Sequence, residues 1–156
     1  CYNIGMSAAP KPLPLLLPIR KYGDPVLVRP AKPVAAVDDD IRRLIPVMFR
    51  TMYAEPGIGL AAPQVGVSLR LMVVDVAPDG KSQPLVLINT VVEKKKGRIR
   101  SEEGCLSFPG IQVTVPRAAW VRVGLVVPPG RLRRLARRLS TPAPAPARPS
   151  APGPGG

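Results

Sequence analysis

Residues 38–64 read DDDIRRLIPVMFRTMYAEPGIGLAAPQ, a helical pattern followed at once by a glycine-rich turn. The aspartates supply a helix cap and negative charge for a first turn. Apolar residues then recur at helical spacing: Ile41, Leu44, Ile45, Met48 and Met52. These features predict a helix over residues 39–54, ended by Pro56-Gly57. Pro46 lies inside it and would cost roughly 3 kcal/mol, so it could kink the helix.

The following part of the chain, as far as Val127, has a sequence pattern typical of strands and turns. Short runs rich in β-branched residues are separated by Pro, Gly, Asp and Asn: Leu69–Val76, Leu85–Asn89, Val91–Arg98, Ile111–Val115 and Trp120–Val127. One helix followed by several strands predicts an α+β domain with mostly antiparallel pairing. We expect the apolar helix face to pack on a sheet that contains the first two runs.

Composition divides the chain into three parts. Residues 1–18 are rich in proline and are expected to be a disordered or loosely attached lead, and residues 19–127 hold the domain. Residues 128–156 contain six Arg and no acidic residue, a net charge of +6 out of +13. Their sequence suggests a disordered basic tail that includes a short amphipathic helix, or a reading in the wrong frame of GC-rich DNA.

The two cysteines, Cys1 and Cys105, do not form a disulfide framework, which indicates a reducing compartment. Cys1 stands where an initiator Met is expected, so the start of the sequence suggests a fragment or a wrongly assigned start. The apolar stretch over residues 10–19 is broken by four prolines, so it predicts neither a signal peptide nor a membrane span. The sequence therefore predicts a soluble protein.

Residues 57–64, GIGLAAPQ, form a first candidate motif. Gly57 and Gly59 allow the backbone to approach a ligand closely. The amide of Gln64 can donate a hydrogen bond to a developing oxyanion. A glycine-rich turn before small residues is usually only a tight turn, so this motif is weak by itself.

Residues 102–107, EEGCLS, form a second candidate motif around Cys105. Gly104 frees the backbone before the thiol, and the N–H of Leu106 could point at a bound carbonyl. A thiolate here could be a nucleophile or a metal ligand, but an isolated cysteine is most often an inert buried thiol.

The two motifs together, GIGLAAPQVG and roughly forty residues later EEGCLSFPG, resemble the peptide deformylase family. Residues 19–27 and Pro84–Asn89 resemble further segments of that family, so the resemblance covers roughly residues 19–123. It implies a deformylase-like α+β fold. The family reaction is a metal-dependent hydrolysis that removes the formyl group from the N-terminal formyl-methionine of nascent proteins.

The resemblance also implies roles for residues at the reacting group. Cys105 would be a ligand of a divalent metal, Fe²⁺ in many bacterial relatives and Zn²⁺ or another ion in others. Gln64 and the backbone N–H of Leu106 would stabilise the tetrahedral oxyanion. Metal-bound water is acidic enough to supply hydroxide near neutral pH, which explains these residue types.

Other positions would bind the substrate by the same resemblance. The loop from Gly57 to Gly59 and the backbone of Gly104 would hydrogen-bond an extended formyl-peptide. Ile58 would help to line the pocket for the methionine side chain. The implied partner is a nascent chain, in the cytoplasm of a bacterium or in an organelle.

The third motif of the family, H-E-x-x-H on a C-terminal helix, is absent, and the sequence has no histidine. A catalytic metal needs three protein ligands, and Glu102 and Glu103 lie beside Cys105 rather than across a site from it. We therefore expect no stably bound metal and no deformylation by this chain as given. We also expect the catalytic helix to be missing or replaced, through truncation or a frame shift near residue 124.

Two other hypotheses follow from the same residues. The chain could be a non-enzymatic basic protein that keeps the shell of the fold and associates with the ribosome or RNA. Residues 94–98, KKKGR, would then contact ribosomal RNA, although such a run is most often a solvated hairpin end. Alternatively, the chain could be an unstable fragment, because without the C-terminal helix the apolar surface of its strands would be exposed to water.

Overall fold

The computed structural model of the chain describes residues 13–76, 80–127 and 131–138, and for 125–127 and 131–138 it describes the backbone. A 3-10 turn at Pro25–Leu27 precedes the helix, and a second one, Ala62–Val65, follows the first strand. The regular elements in chain order are α1 Asp39–Ala54, β1 Gly59–Ala61, β2 Leu71–Val74, β3 Leu85–Ile88, β4 Thr90–Lys96, β5 Ile99–Cys105, β6 Phe108–Arg117, β7 Trp120–Val127 and β8 Arg131–Arg138.

Helix α1 has the predicted bounds, and its start is capped as its sequence predicts. The side chain of Asp38 accepts a hydrogen bond from the backbone N–H of Ile41 at 3.0 Å. Asp39 and Asp40 stand in the first turn, where negative charge is favoured. Pro46 lies inside the helix on an exposed position. The helix therefore tolerates proline because burial of its opposite face offsets the lost backbone hydrogen bond.

The apolar face of α1 packs against the first sheet and forms the core with it. The buried helix residues are Ile41, Leu44, Val47, Met48, Thr51 and Met52. Leu60 of β1 and Val73 of β2 belong to the same cluster, and each is at most 2 % exposed. The predicted packing of this helix on the sheet is confirmed, although Ile45 is only partly buried and Val47 takes a central place.

The strands within the described residues form three antiparallel groups: β1-β2-β3, β4-β7-β8 and the hairpin β5-β6. The predicted antiparallel α+β architecture is confirmed. Strands β1 and β5 were not predicted, because β1 has the sequence GLA and β5 is mostly polar. Both have little β-branched character and are placed by pairing with their neighbours.

The boundary expected after residue 18 does not hold for the described part of the lead. Leu17 is 6 % exposed in the core, and its N–H donates to Thr51 Oγ1 at 3.0 Å. The apolar side chain of Leu17 thus completes the cover over α1, despite the prolines around it. The remaining part of the predicted lead, residues 1–12, lies outside the described residues.

The expectation of a disordered tail or a short helix is wrong for residues 131–138. These residues form β8, which pairs with β7 along its whole length, from Val127↔Arg131 to Trp120↔Arg138. Pairing with β7 satisfies the backbone groups that a short isolated helix would leave exposed to water. The other residues of the predicted tail, 128–130 and 139–156, lie outside the described part.

No helix in the described ranges has the length and apolar character needed to cross a membrane.

Candidate functional site

Gln64 stands in the 3-10 turn that follows β1, and a hydrogen bond fixes the orientation of its amide. The backbone N–H of Ala61 donates to Gln64 Oε1 at 2.9 Å. Because the oxygen is engaged there, the Nε2 end faces the other way. It lies 3.8 Å from Cys105 Sγ and 3.3 Å from Ser107 Oγ. The donor end of the amide is thus directed at the second motif.

Cys105 ends β5 at the turn of the β5-β6 hairpin, where it pairs with Phe108 after a shift in register. The thiol is exposed and free, whereas Ser107 is 3 % exposed. The resemblance implies that Gln64 and Cys105 act at the same reacting group, and the contact between their side chains agrees with this. The two motifs therefore meet at one place, although 41 residues separate these side chains in the sequence.

Gly57 marks a second contact between the two motifs. A Cβ added at Gly57 would lie 2.9 Å from Leu106 Cδ1 and 3.4 Å from the carbonyl oxygen of Met52. The N–H of Gly57 donates to this same oxygen at 2.9 Å, which also closes the end of α1. The absence of a side chain at Gly57 therefore lets the half-buried Leu106 pack against the loop.

The segment from Arg20 to Tyr22, which belongs to neither motif, forms hydrogen bonds with both of them. The N–H of Arg20 donates to the carbonyl of Gln64 at 2.7 Å, and the N–H of Tyr22 donates to the carbonyl of Ser107 at 3.0 Å. Lys21 Nζ donates to the carbonyl of Leu106, also at 3.0 Å. Sequence reasoning recognised this segment only as part of a resemblance, because backbone hydrogen bonds over such separations leave no pattern in the sequence.

The predicted substrate-binding glycines lie at accessible backbone. Gly59 is in β1, an edge strand of its sheet within the described residues. Gly104 is exposed in β5, opposite Gln112. The side chain of Ile58 is 55 % exposed, and its carbonyl accepts a hydrogen bond from the N–H of Asp75 at 2.9 Å. One edge of the site therefore offers free strand backbone beside an exposed apolar side chain.

Asp75, which the sequence did not single out, anchors this loop. The residue is 6 % exposed, and its carboxylate accepts hydrogen bonds from Tyr53 Oη at 2.8 Å, Ser82 Oγ at 2.5 Å and the N–H of Gln83 at 2.9 Å. The hydrogen bond to Asp75 raises the pKa of Tyr53 above its usual value. The buried carboxylate thereby ties the end of α1 to the chain that holds Ile58.

The acidic residues next to Cys105 do not complete a metal site. Glu103 accepts a hydrogen bond from Arg117 Nε at 2.7 Å in an ion pair across the hairpin, and this hydrogen bond lowers the pKa of Glu103. Within the described ranges no three His, Cys, Asp or Glu side chains are grouped so that they could hold an ion. Cys105 with an amide and a hydroxyl does not fit a catalytic metal, which needs three strong ligands.

The fold and the meeting of the two motifs define a protein of the deformylase type. The family model for polypeptide deformylase matches residues 16–129, and the chain belongs to the peptide deformylase family. The match extends beyond the predicted resemblance at both ends, which agrees with the burial of Leu17 and with the pairing of β7.

Two curated relatives show the extent of the similarity. The peptide deformylase of Alkalilimnicola ehrlichii is 52 % identical over 107 residues, covering 69 % of this chain and 60 % of that relative. The peptide deformylase of Cellvibrio japonicus is 53 % identical over 109 residues, covering 69 % and 64 %. The chain thus spans less than two thirds of the length of these relatives.

Solved structures agree in fold. The peptide deformylase from Thermotoga maritima superposes with a TM-score of 0.72 at 38 % identity, over 79 % of this chain and 82 % of the other. The peptide deformylase from Synechococcus elongatus, in complex with actinonin, gives a TM-score of 0.71 at 44 % identity, over 78 % and 67 %.

Proposed function

We propose that this chain carries the peptide-binding and oxyanion-stabilising part of a peptide deformylase, which removes the formyl group from formyl-methionine at the start of nascent proteins. The observation that carries the proposal is the fixed orientation of the Gln64 side-chain amide. Its oxygen accepts a hydrogen bond from the N–H of Ala61, and its nitrogen faces Cys105 and Ser107. Membership of the family supports the reaction class.

The proposed role of Gln64 is supported by this geometry, and that of Leu106 by the family resemblance. Gln64 Nε2 and the backbone N–H of Leu106 donate to the oxygen of the formyl group as negative charge develops on it. A fixed donor of this kind is typically worth about 3–4 kcal/mol in the transition state. A donor that is already oriented needs no reorganisation during the reaction. The hydrogen bond from Ala61 fixes the orientation of the Gln64 amide.

The substrate would lie along the open edge of β1. An extended peptide can add to such an edge through backbone hydrogen bonds, here at the loop from Gly57 to Gly59 and at Gly104. The exposed side chain of Ile58 would contact the methionine side chain. Both parts of this proposal use backbone and apolar surface that the site leaves accessible.

By family resemblance, Cys105 is proposed as one ligand of a divalent metal, Fe²⁺, Zn²⁺ or another ion, which this chain would not hold stably through Cys105 alone. The polypeptide contains no histidine, so it has neither the two imidazole ligands nor the glutamate of an H-E-x-x-H motif. We therefore propose that the 156-residue polypeptide by itself does not deformylate peptides.

A chimera tests the proposal. Residues 1–123 joined to a segment that bears H-E-x-x-H should bind one equivalent of Fe²⁺ or Ni²⁺ and hydrolyse a formyl-Met peptide, whereas the 156-residue chain should do neither. Cys105→Ser should abolish both properties in the chimera, and Cys1→Ser is the matched control that should leave both intact. Turnover by the unmodified chain, or a metal-loaded chimera without turnover, would contradict the proposal.

Contact with the ribosome through basic segments is a separate part of the proposal. Its support is the charge of residues 94–98 and the net charge of +6 on residues 128–156. Binding of the chain to ribosomes should be lost at high salt in cosedimentation. Equal binding by a chain ending at Val127 would show that the C-terminal charge has no part in it.

A further inference from the structure

One face of the β4-β7 pair gathers positive charge around a tryptophan. In the antiparallel register, Lys96 lies opposite Trp120 and Lys94 lies opposite Arg122. Directly opposite residues of an antiparallel pair share a face, so these four residues form one surface, named here the basic face. Lys96 Nζ lies 5.7 Å and Arg122 Cζ lies 5.5 Å from the centre of the Trp120 ring, which agrees with this register.

A bulge at Glu93 creates the basic face. The register passes from Val92↔Val123 to Lys94↔Arg122, so one residue of β4 is left over at Glu93. An uninterrupted ladder would instead place Glu93 opposite Arg122 and Lys95 opposite Trp120. The bulge thus exchanges a favourable cross-strand ion pair for a like-charge pair, which is destabilising by itself. Bulges that redirect side chains in this way are features of a fold rather than defects.

Among the described residues, no ion pair involves Lys94, Lys96 or Arg122, the cations of the basic face. Lys94 and Lys96 are exposed. The backbone continues the sheet with β8, where Arg138 is the register partner of Trp120. A surface that keeps like charges opposite each other is suited to an anionic partner that compensates them.

We propose that the basic face binds the sugar-phosphate backbone of single-stranded nucleic acid, with Trp120 offering its ring to a base. Phosphates spaced along a strand suit the cations, and stacking on an aromatic ring tolerates any base. A membrane surface is the less favoured partner, because the ring is flanked by two cations, Lys96 and Arg122, instead of further aromatic residues that could enter lipid. This inference deepens the proposed contact of residues 94–98 with the ribosome and rests on that part of the proposed function, whereas it does not depend on the deformylase site.

The experiment uses the 156-residue chain and a fluorescently labelled 12-nucleotide poly(U) RNA, followed by anisotropy from about 50 to 200 mM salt. Lys94→Gln with Lys96→Gln should weaken binding about tenfold or more at low salt. The slope of log K against log salt should fall by about 1.4, since each phosphate contact on a single strand contributes about 0.7. Lys32→Gln with Lys81→Gln is the matched control, which removes the same charge elsewhere.

A second variant separates stacking from charge. Trp120→Leu should weaken binding about fivefold or more with an unchanged salt slope, because loss of the ring removes stacking but no charge. Unchanged circular dichroism shows that each variant is folded. The proposal is overturned if the chain does not bind the RNA, if the control pair weakens binding equally, or if anionic phosphatidylserine vesicles compete for the chain while the RNA variants behave as wild type.

Discussion

The N–H of Ala61 donates to Gln64 Oε1 at 2.9 Å, so a hydrogen bond within one turn directs an amide nitrogen toward a thiol 41 residues away. The side chain of Gln64 thus takes part both in the hydrogen bond within the turn and in the long-range contact with Cys105. A change at Gln64 can therefore affect stability through one end of the amide and activity through the other, and the two effects are separable.

Two substitutions of Gln64 separate these effects. Gln64→Glu keeps an acceptor for Ala61 but removes the donor, whereas Gln64→Leu removes both. In the H-E-x-x-H chimera, both variants should lower kcat/KM by about 10²- to 10³-fold, since an oxyanion donor is lost. Only Gln64→Leu should also lower the free energy of unfolding, by about 1 kcal/mol. Urea unfolding and steady-state kinetics measure the two quantities, and full activity of Gln64→Glu would contradict the assigned role.

Gly57→Ala should destabilise the protein by about 1–3 kcal/mol, because the new Cβ would lie 2.9 Å from Leu106 Cδ1. Gly59→Ala is the matched control, since its Cβ would meet the carbonyl of Val73 at an ordinary 3.7 Å. Thermal unfolding compares the two. In the double variant Gly57→Ala with Leu106→Ala, the cost of the added methyl should largely disappear, and simple additivity would count against the contact.

The ion pair between Glu103 and Arg117 should make stability depend on pH. Its hydrogen bond lowers the pKa of Glu103 in the folded state. A lowered folded-state pKa gives stability that is present above the unfolded pKa of about 4.3 and is lost as the pH falls through the folded value. Both side chains are partly exposed, so the effect should be at most about 1 kcal/mol.

Glu103→Gln should therefore be less stable than the wild type at pH 7, and the difference should vanish near pH 2. Denaturant unfolding at several pH values measures it. Glu102→Gln removes the same charge from the neighbouring residue without touching Arg117, and it should not reproduce the loss. A constant difference between Glu103→Gln and the wild type at all pH values would indicate a packing effect instead.

Asp75→Asn should destabilise the protein by about 1–3 kcal/mol, because an amide nitrogen cannot accept the hydrogen bonds that reach this buried carboxylate. Ser82→Ala, which removes one of these donors, should cost less. In the chimera, Asp75→Asn should also raise KM, because weaker side-chain hydrogen bonds would let the backbone of residue 75 shift, and its N–H holds the carbonyl of Ile58. Wild-type stability of Asp75→Asn would contradict the anchoring role.

The sequence was most informative where the interactions are local or the motif is dense. Asp38 and the apolar spacing predicted α1 with correct bounds, because a cap and a 3.6-residue period are local properties. The nearness of Gln64 and Cys105 followed from the resemblance, which rests on long motifs in the right order. Both predictions depend on residues that are close in sequence, either within the helix or within each of the two motifs.

Long-range pairing was the part that could not be predicted. Strand β1 is only GLA, and β8 reads as a basic amphipathic segment, so their neighbours rather than their own propensities make them strands. The network of Asp75 was missed because a single aspartate after a strand is usually a turn residue. The contacts from Arg20 and Tyr22 use backbone atoms, which carry no residue-specific signal.

The segment from Arg20 to Tyr22 has a consequence for how the molecule folds. Its contact from Lys21 to Leu106 spans 85 residues, among the most distant pairings within the described ranges. Closing so long a loop costs entropy that only later contacts repay, so such pairings form late on the folding pathway. We therefore expect the N-terminal segment to dock late, so that the geometry of the site is completed in the last folding steps.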